Sequence, residues 1–469
     1  MGVAAIIGRP KPRRRRELGL LFVGAIAVVF ATLIESVAKT NALPAHVIGF
    51  LIGLAAICLV VQVVNRRLVP DADPLLVPVA LMLNGVGYVM IERINPSYAG
   101  QQLGWTAIGL ALYTGLLVIV RRSRDLERYR YLLALVALLL LISPMLPVLG
   151  NSPANTMGEK LWVAFHGVEF QPVEIAKLLL VIYFASYIVA KRELLTIPTR
   201  RIGNHLLPDL RAFGPIAVAG AGAMLVILAE HDIGFSLILF LVFLTMIWVT
   251  TGRWTYPLIG IVIFIVATFV ASHLLYQLNE RLQVWFDPWR YASGIGDQPV
   301  QGELAFGRGG LFGTGIGLGI GARIVDPATG ATQIPVATSD FIFAVIGEEL
   351  GFVGAVGVAL CYLLIIVCGL RAALRSRSEF AKLAAVGLTA TIGFQSFIIM
   401  AGVVRLLPLT GVTLPFVSYG GSSLVANYAL LALLMRISND SNQVVPPPPP
   451  RLSAWRRTLS WATKGANSG

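Results

Sequence analysis

Residues 13–38 read RRRRELGLLFVGAIAVVFATLIESVA. Four arginines are followed, from Leu18, by an apolar run of about twenty residues. At roughly 1.5 Å per residue such a run crosses a hydrocarbon core of ~30 Å. It reads as a signal anchor with its amino end in the cytoplasm, since no cleavable signal peptide is evident. Runs of this kind recur along the chain. They fall near 18–38, 46–64, 74–91, 103–120, 131–149, 172–190, 213–229, 234–251, 256–275, 341–369, 383–404 and 415–435. The expected fold class is therefore all-α: a polytopic transmembrane helical bundle of about twelve spans in the plasma membrane. Residues 1–17 form a basic cytoplasmic N-terminus, 18–435 the transmembrane domain and 436–469 a cytoplasmic tail.

Composition agrees. The 469 residues are 56% hydrophobic and 13% charged, with mean hydropathy +0.77, whereas soluble domains carry about a quarter charged residues. The net charge of +13 is spread in short runs between apolar segments rather than over one face. This excludes nucleic acid as a partner and points to the lipid bilayer. With the N-terminus inside, the cytoplasmic pieces hold 28 of the 37 Lys and Arg, so both termini are assigned to the cytoplasm. The tail, with Pro446–Pro450 and Arg456-Arg457, reads as a polyproline-like segment near anionic lipid. Cys58, Cys361 and Cys368 lie in apolar runs and read as packed hydrophobes. Two outer loops are long: about 150–171, and about 276–340 ahead of the tenth span.

Charged residues inside spans cost roughly 2.5–3.5 kcal/mol each on insertion scales and need a reason. Glu174 and Lys177 in Gln171-Pro-Val-Glu-Ile-Ala-Lys stand at i, i+3 on one helix face. They form either a structural ion pair or a polar wall of a substrate cavity. Glu230 and Asp232 flank His231 at the seventh-to-eighth span junction and carry the same two readings. Asp340, in Ile334-Pro-Val-Ala-Thr-Ser-Asp-Phe-Ile-Phe, stands where an outer loop enters the membrane. Desolvation there raises a carboxyl pKa while leaving it reachable by a hydrophilic substrate. On a continuous helix, Glu348 or Glu349 would share the face of Asp340 and its cavity, or serve as a buried acid at a helix contact.

The glycine-rich segment from Gly307 to Gly319 lacks the Lys-Ser/Thr ending of a nucleotide-binding loop and follows no strand signal. It reads as a turn-rich interfacial segment whose backbone amides could touch a diphosphate. Leu414-Pro-Phe-Val-Ser-Tyr-Gly-Gly-Ser-Ser opens the last span, with Pro415 in the first turn and small residues at a helix contact.

Together these segments resemble the SEDS family (shape, elongation, division and sporulation). Residues 171–177 look like its QPxExxK, Glu230-His-Asp-Ile-Gly-Phe-Ser like its ExDxGxS, and Thr338-Ser-Asp-Phe-Ile-Phe with Gly347-Glu-Glu-Leu-Gly like its TDFIF…EELG. Residues 414–423 follow its LPxxSYGGSS. The features are nearer the RodA type of high-GC Gram-positive bacteria than the FtsW type. Ser339 stands where the family usually has Thr.

The resemblance implies a peptidoglycan glycosyltransferase that polymerises lipid II at the outer face, partnered by a class B penicillin-binding protein. Asp340 falls at the family's essential aspartate, as general base or metal ligand. Lys160, Arg405 and Lys177 are candidates to hold the diphosphate, with a divalent cation (Mg2+ or Mn2+) as a further expectation. Glu174, Glu230, Asp232, Glu348, Glu349, Ser418 and Tyr419 complete the expected substrate-binding set. A lipid II flippase, a division polymerase and a non-catalytic scaffold are the competing readings.

Overall fold

The computed structural model describes residues 13–40, 47–146, 150–151, 162–165, 168–193, 200–202, 205–207, 233–274, 276–326 and 331–443. The basic residues before 13, the expected span 213–229 and the proline-rich tail lie outside them. Helices dominate: α1 (Arg13–Thr40), α2 (Val47–Leu68), α3 (Leu76–Ile94), α4 (Pro96–Ile119), the one-turn α5 (Asp125–Arg128), α6 (Arg130–Ile142), α7 (Val173–Ala190), α8 (Ile233–Thr251), α9 (Thr255–Leu274), α10 (Tyr276–Phe286), α11 (Asp297–Gly309), α12 (Ile342–Glu349), α13 (Gly351–Arg375), α14 (Glu379–Val403) and α15 (Gly421–Asn442). Three small antiparallel sheets accompany them among the described residues: β1 (Gly150–Asn151), β2 (Trp162–Phe165) and β3 (Val168–Phe170) in one, β4 (Arg200–Ile202) with β5 (His205–Leu207), and β6 (Ile324–Asp326) with β7 (Ala331–Thr332).

Among the described residues nine helices are long and apolar enough to cross a membrane, with two shorter apolar helices, Arg130–Met145 and Thr255–Phe269. Of the twelve expected spans, nine correspond to these long helices and two to the shorter ones, and 213–229 lies outside the described residues. The expected span 131–149 is cut short at Ser143-Pro144, where proline withdraws a backbone donor and a 3-10 turn replaces the α-helix. The outer segment after α9, expected as a long loop, contains α10 and α11. Periodic residues such as Leu278, Val284 and Val300 are buried there.

A second correction concerns the expected span 341–369. The helix breaks at Gly351, whose φ is +69°, and a Cβ there would meet the Gly313 nitrogen at 2.2 Å. That backbone belongs to the glycine-rich segment, whose Gly310 and Leu311 carbonyls accept from the Phe352 and Val353 amides (2.9 and 3.1 Å). The first donors of α13 are thus satisfied by a loop wedged against its start, and α12 becomes a separate short helix. The last span begins at Gly421 rather than 415, because residues 414–420 form turns with Phe416 at φ +65°. The Tyr362 hydroxyl holds them by donating to the Pro415 carbonyl at 2.6 Å.

α15 is the axis of the bundle: 94% of its apolar window is buried, against 17% for α2 at the periphery. It packs on α4, α13, α14 and α7. Gly421 lets α15 approach α4, since a Cβ there would sit 2.2 Å from Trp105. Polar side chains tie helices together where water is excluded. Asn84 donates to the Tyr428 hydroxyl (3.0 Å), and Arg436 donates to the Leu68 and Leu117 carbonyls (3.1 and 2.6 Å).

Candidate active site

Asp340 sits in a tight turn between Val336, at φ +54°, and α12. The Ser339 and Phe341 amides both donate to the Val336 carbonyl, and the Phe341 side chain is buried. The turns ahead of α15 brace this segment. The Ser418 hydroxyl donates to the Ser339 carbonyl at 2.6 Å and accepts from the Leu414 amide at 2.9 Å. The Tyr419 amide donates to the Thr338 carbonyl at 2.9 Å. The Tyr419 ring stacks on Tyr98 with centroids 4.6 Å apart, and its hydroxyl bonds Gln101. Ser418 and Tyr419, expected among substrate contacts, thus lie directly behind Asp340 and fix its backbone.

In front of Asp340 lies a cavity of about 370 Å³. Its walls come from α10 (Glu280, Arg281, Trp285), the start of α11 (Gln298), Asp340 itself and the loop after α14 (Arg405, Leu409, Gly411). Arg281 also donates to the Thr410 carbonyl at 3.4 Å, and the Trp285 indole donates to the Arg405 carbonyl at 3.2 Å. Arg405 takes an αL backbone, φ +58°, and its guanidinium pairs with Glu303 of α11 at 2.8 Å. Burial pushes the Asp340 carboxyl up to about 6; its hydrogen bond with Ser339 and the charge of Arg281 hold it from rising further. A carboxylate tuned there is mostly ionised at neutral pH yet basic enough to receive a proton.

Reasoning from the sequence placed Asp340 and Arg405 on this wall but missed Arg281, Glu280, Trp285 and Gln298. The signal for α10 was present: Leu278, Arg281, Val284 and Trp285 recur at helical spacing.

Glu174, Lys177, Glu348 and Glu349 lie elsewhere. Glu174 and Lys177 form the expected i, i+3 ion pair, at 2.5 Å and buried on both sides. Lys177 also donates to Gln395 (2.8 Å) and stands 4.8 Å from the Phe235 ring centroid. Gln395 in turn donates to the Thr413 carbonyl at 2.8 Å, so the pair reaches the loop leading to Ser418 through one side chain. It does not line the Asp340 cavity.

Glu348 and Glu349 do not line it either; the expected shared face is corrected because α12 begins only at Ile342, so Asp340 stands in the turn before it and not on its face. Glu348 pairs with Arg308 (2.6 Å) and accepts from the Ile320 and Gly321 amides (3.1 and 2.8 Å). Glu349 stands 3.3 Å from Arg93 and accepts from the Gly317 amide at 2.9 Å; burial is the main cause raising its pKa. The Gly317 amide, within the segment expected to be able to touch a diphosphate, is therefore occupied by Glu349, and the Ile320 and Gly321 amides just beyond it by Glu348. Lys160, Glu230 and Asp232 lie outside the described residues.

Among the described residues no group of three or more His, Cys, Asp or Glu is placed to hold a metal ion. Mg2+ and Mn2+ commonly take one or two carboxylates together with phosphate oxygens and water. Asp340 and Glu280, on one cavity wall, fit that shared mode.

The chain is similar to known proteins over most of its length. The family described as cell cycle protein, of the FtsW, RodA and SpoVE type, matches residues 76–443. Peptidoglycan glycosyltransferase RodA of Mycobacterium tuberculosis is 38% identical over 448 residues, covering 92% of each chain. The protein of the same name from Mycobacterium leprae is 38% identical over 444 residues, again covering 92% of both. Among solved structures, a chain from work on structural coordination of polymerization and crosslinking by a peptidoglycan synthase complex superposes with TM-score 0.63 and 25% identity. It covers 80% of this chain and 99% of that one. The rod shape determining protein RodA of Thermus thermophilus shares the fold, with TM-score 0.55 and 24% identity over 80% and 98% of the two chains.

Proposed function

We propose, from the premise that this chain belongs to the FtsW, RodA and SpoVE family, a specific role for Asp340 in its reaction. The protein is a multi-pass membrane peptidoglycan glycosyltransferase of the RodA type, and Asp340 is the general base. The donor is lipid II, a disaccharide-peptide on undecaprenyl diphosphate. The acceptor GlcNAc 4-hydroxyl oxygen attacks donor MurNAc C1, and the C1–O bond to the diphosphate breaks with its electron pair. The acceptor proton passes to Asp340. The diphosphate leaves well without a second carboxylic acid, unlike the alkoxide of a glycosidase. Arg281 and Arg405 supply positive charge where negative charge develops.

One observation carries this reading: a carboxylate with pKa near 6 beside Arg281, on the wall of a cavity that Arg405 also lines. Where a divalent cation accompanies the diphosphate, Glu280 is the carboxylate that would hold it while Asp340 takes the proton, and the cation would add charge neutralisation to that of the arginines. A class B penicillin-binding protein is the proposed partner. Its support is the likeness to a chain of a synthase complex that couples polymerization to crosslinking.

The test is lipid II polymerisation by the purified full chain with that partner, wild type against Asp340→Asn. Glycan from wild type and none from a folded, partner-binding Asp340→Asn supports the assignment. Glycan from Asp340→Asn at wild-type rate removes Asp340 from the chemistry.

A further inference from the structure

Arg405 is on the cavity wall, but its charge is already engaged. Its guanidinium lies 2.8 Å from Glu303, and Glu303 is not part of the wall. Both side chains are partly open to solvent, at 35% and 27% exposure, so the pair can exchange partners without breaking a sealed core. The rest of Arg405 is constrained. Its backbone is in the αL region, its amide donates to the Gly402 carbonyl at 3.1 Å, and its own carbonyl accepts from Trp285. The freedom left to this residue is in its side chain.

We propose that Glu303 is a positioning residue that holds the Arg405 guanidinium at the cavity edge until a diphosphate anion takes its place, so that Arg405 alternates between carboxylate and diphosphate in each cycle. The inference rests on the glycosyltransferase reading of the cavity. An arginine fork accepts a carboxylate or a phosphate with the same geometry, which makes the exchange chemically even-handed. A paired Arg405 also keeps the resting cavity from presenting an uncompensated cation to any passing anion. Because Glu303 lies on α11, departure of its partner frees α11 from the loop after α14 at this point, while Trp285 keeps α10 attached.

The experiment uses the full chain. Glu303→Gln removes the competing charge and keeps the side chain's size. Its apparent KM for lipid II is expected to fall about 2- to 5-fold, the fold-change that corresponds to losing one exposed ion pair. Inhibition by inorganic diphosphate is expected to tighten by the same factor. In Arg405→Gln the inhibition weakens, and adding Glu303→Gln to it changes nothing further, since the two act through one contact. An unchanged or raised KM in Glu303→Gln, with a lowered melting temperature, would mean that the pair only braces the loop, and would overturn the proposal. Binding of inorganic diphosphate to Asp340→Asn, with and without Glu303→Gln, reads the exchange without turnover. Failure of Asp340 as base therefore leaves this result standing.

Discussion

Asp340 Oδ2 and Arg281 Nη2 each lie 3.9 Å from the point that a Cβ on Gly411 would occupy. Three separate stretches of chain, α10, the turn before α12 and the loop after α14, thus bring a carboxylate and a guanidinium to one spot on the cavity wall. Arg281 opposes the desolvation of Asp340: its charge favours the ionised carboxyl that burial disfavours.

Removing that charge gives a pH signature. In Arg281→Gln the Asp340 pKa is expected to rise above about 6, because the cation that lowers it is gone. A base must be deprotonated, so the acid limb of the rate–pH profile should move to higher pH. Initial polymerisation rates between pH 5 and 9 check this. An acid limb that stays in place would show that Arg281 does not set the charge state of Asp340.

The same shift carries a stability cost. The folded-state pKa of Asp340 is raised from 3.8 to about 6, so ionisation opposes folding. Stability is fullest below about pH 4, falls as pH rises through 6, and stays reduced above it. Asp340→Asn escapes this penalty and should be more thermostable than wild type at pH 7, by on the order of 1–3 kcal/mol. The gain should fade towards pH 4. Melting curves in detergent at the two pH values compare them.

Glu348 is expected to behave as a structural anchor. Its carboxylate is buried, and it holds Arg308 and the amides of Ile320 and Gly321, just after the glycine-rich segment. Glu348→Ala leaves those donors without their acceptor and should cost about 3–5 kcal/mol. The expected result is a large loss of folded protein by size-exclusion chromatography and thermal melting.

The Glu174–Lys177 pair offers a cleaner test of burial. Lys177→Met alone strands a buried carboxylate and should destabilise strongly, by about 3–5 kcal/mol. The double variant Glu174→Gln with Lys177→Met strands no charge and should recover most of the loss. A double variant no more stable than the single one would mean that the pair contributes through something other than mutual neutralisation.

Much of the bundle was legible because spanning runs announce themselves by length and hydropathy, as in 18–38 and 383–404. What hydropathy could not show was where an apolar run stops being one helix. Residues 341–369 are apolar almost throughout, yet Gly351 needs a positive φ and a loop from forty residues earlier to satisfy the amides behind it. Asp340 stands in a turn before α12, and Glu348 and Glu349 are held by Arg308, Arg93 and loop amides instead of facing it. Periodicity fixes faces only within an unbroken helix. Asp340 itself was legible from its place between loop and membrane. Arg281 was not, because nothing in its neighbourhood marks which distant carboxylate it will meet.

The break at Gly351 bears on how the protein sits in bilayers of different thickness. At 25 residues, α13 is about 37 Å long, several ångströms more than a typical hydrocarbon core, and such a helix adapts by tilting. Were Asp340 on a continuous extension of it, each degree of tilt would swing the carboxylate away from Arg281. Instead the acid precedes a short helix that Arg93 and Arg308 grip through its two glutamates. Tilting of α13 in a thinner or thicker membrane would therefore pivot at the glycine joint instead of carrying the carboxylate with it.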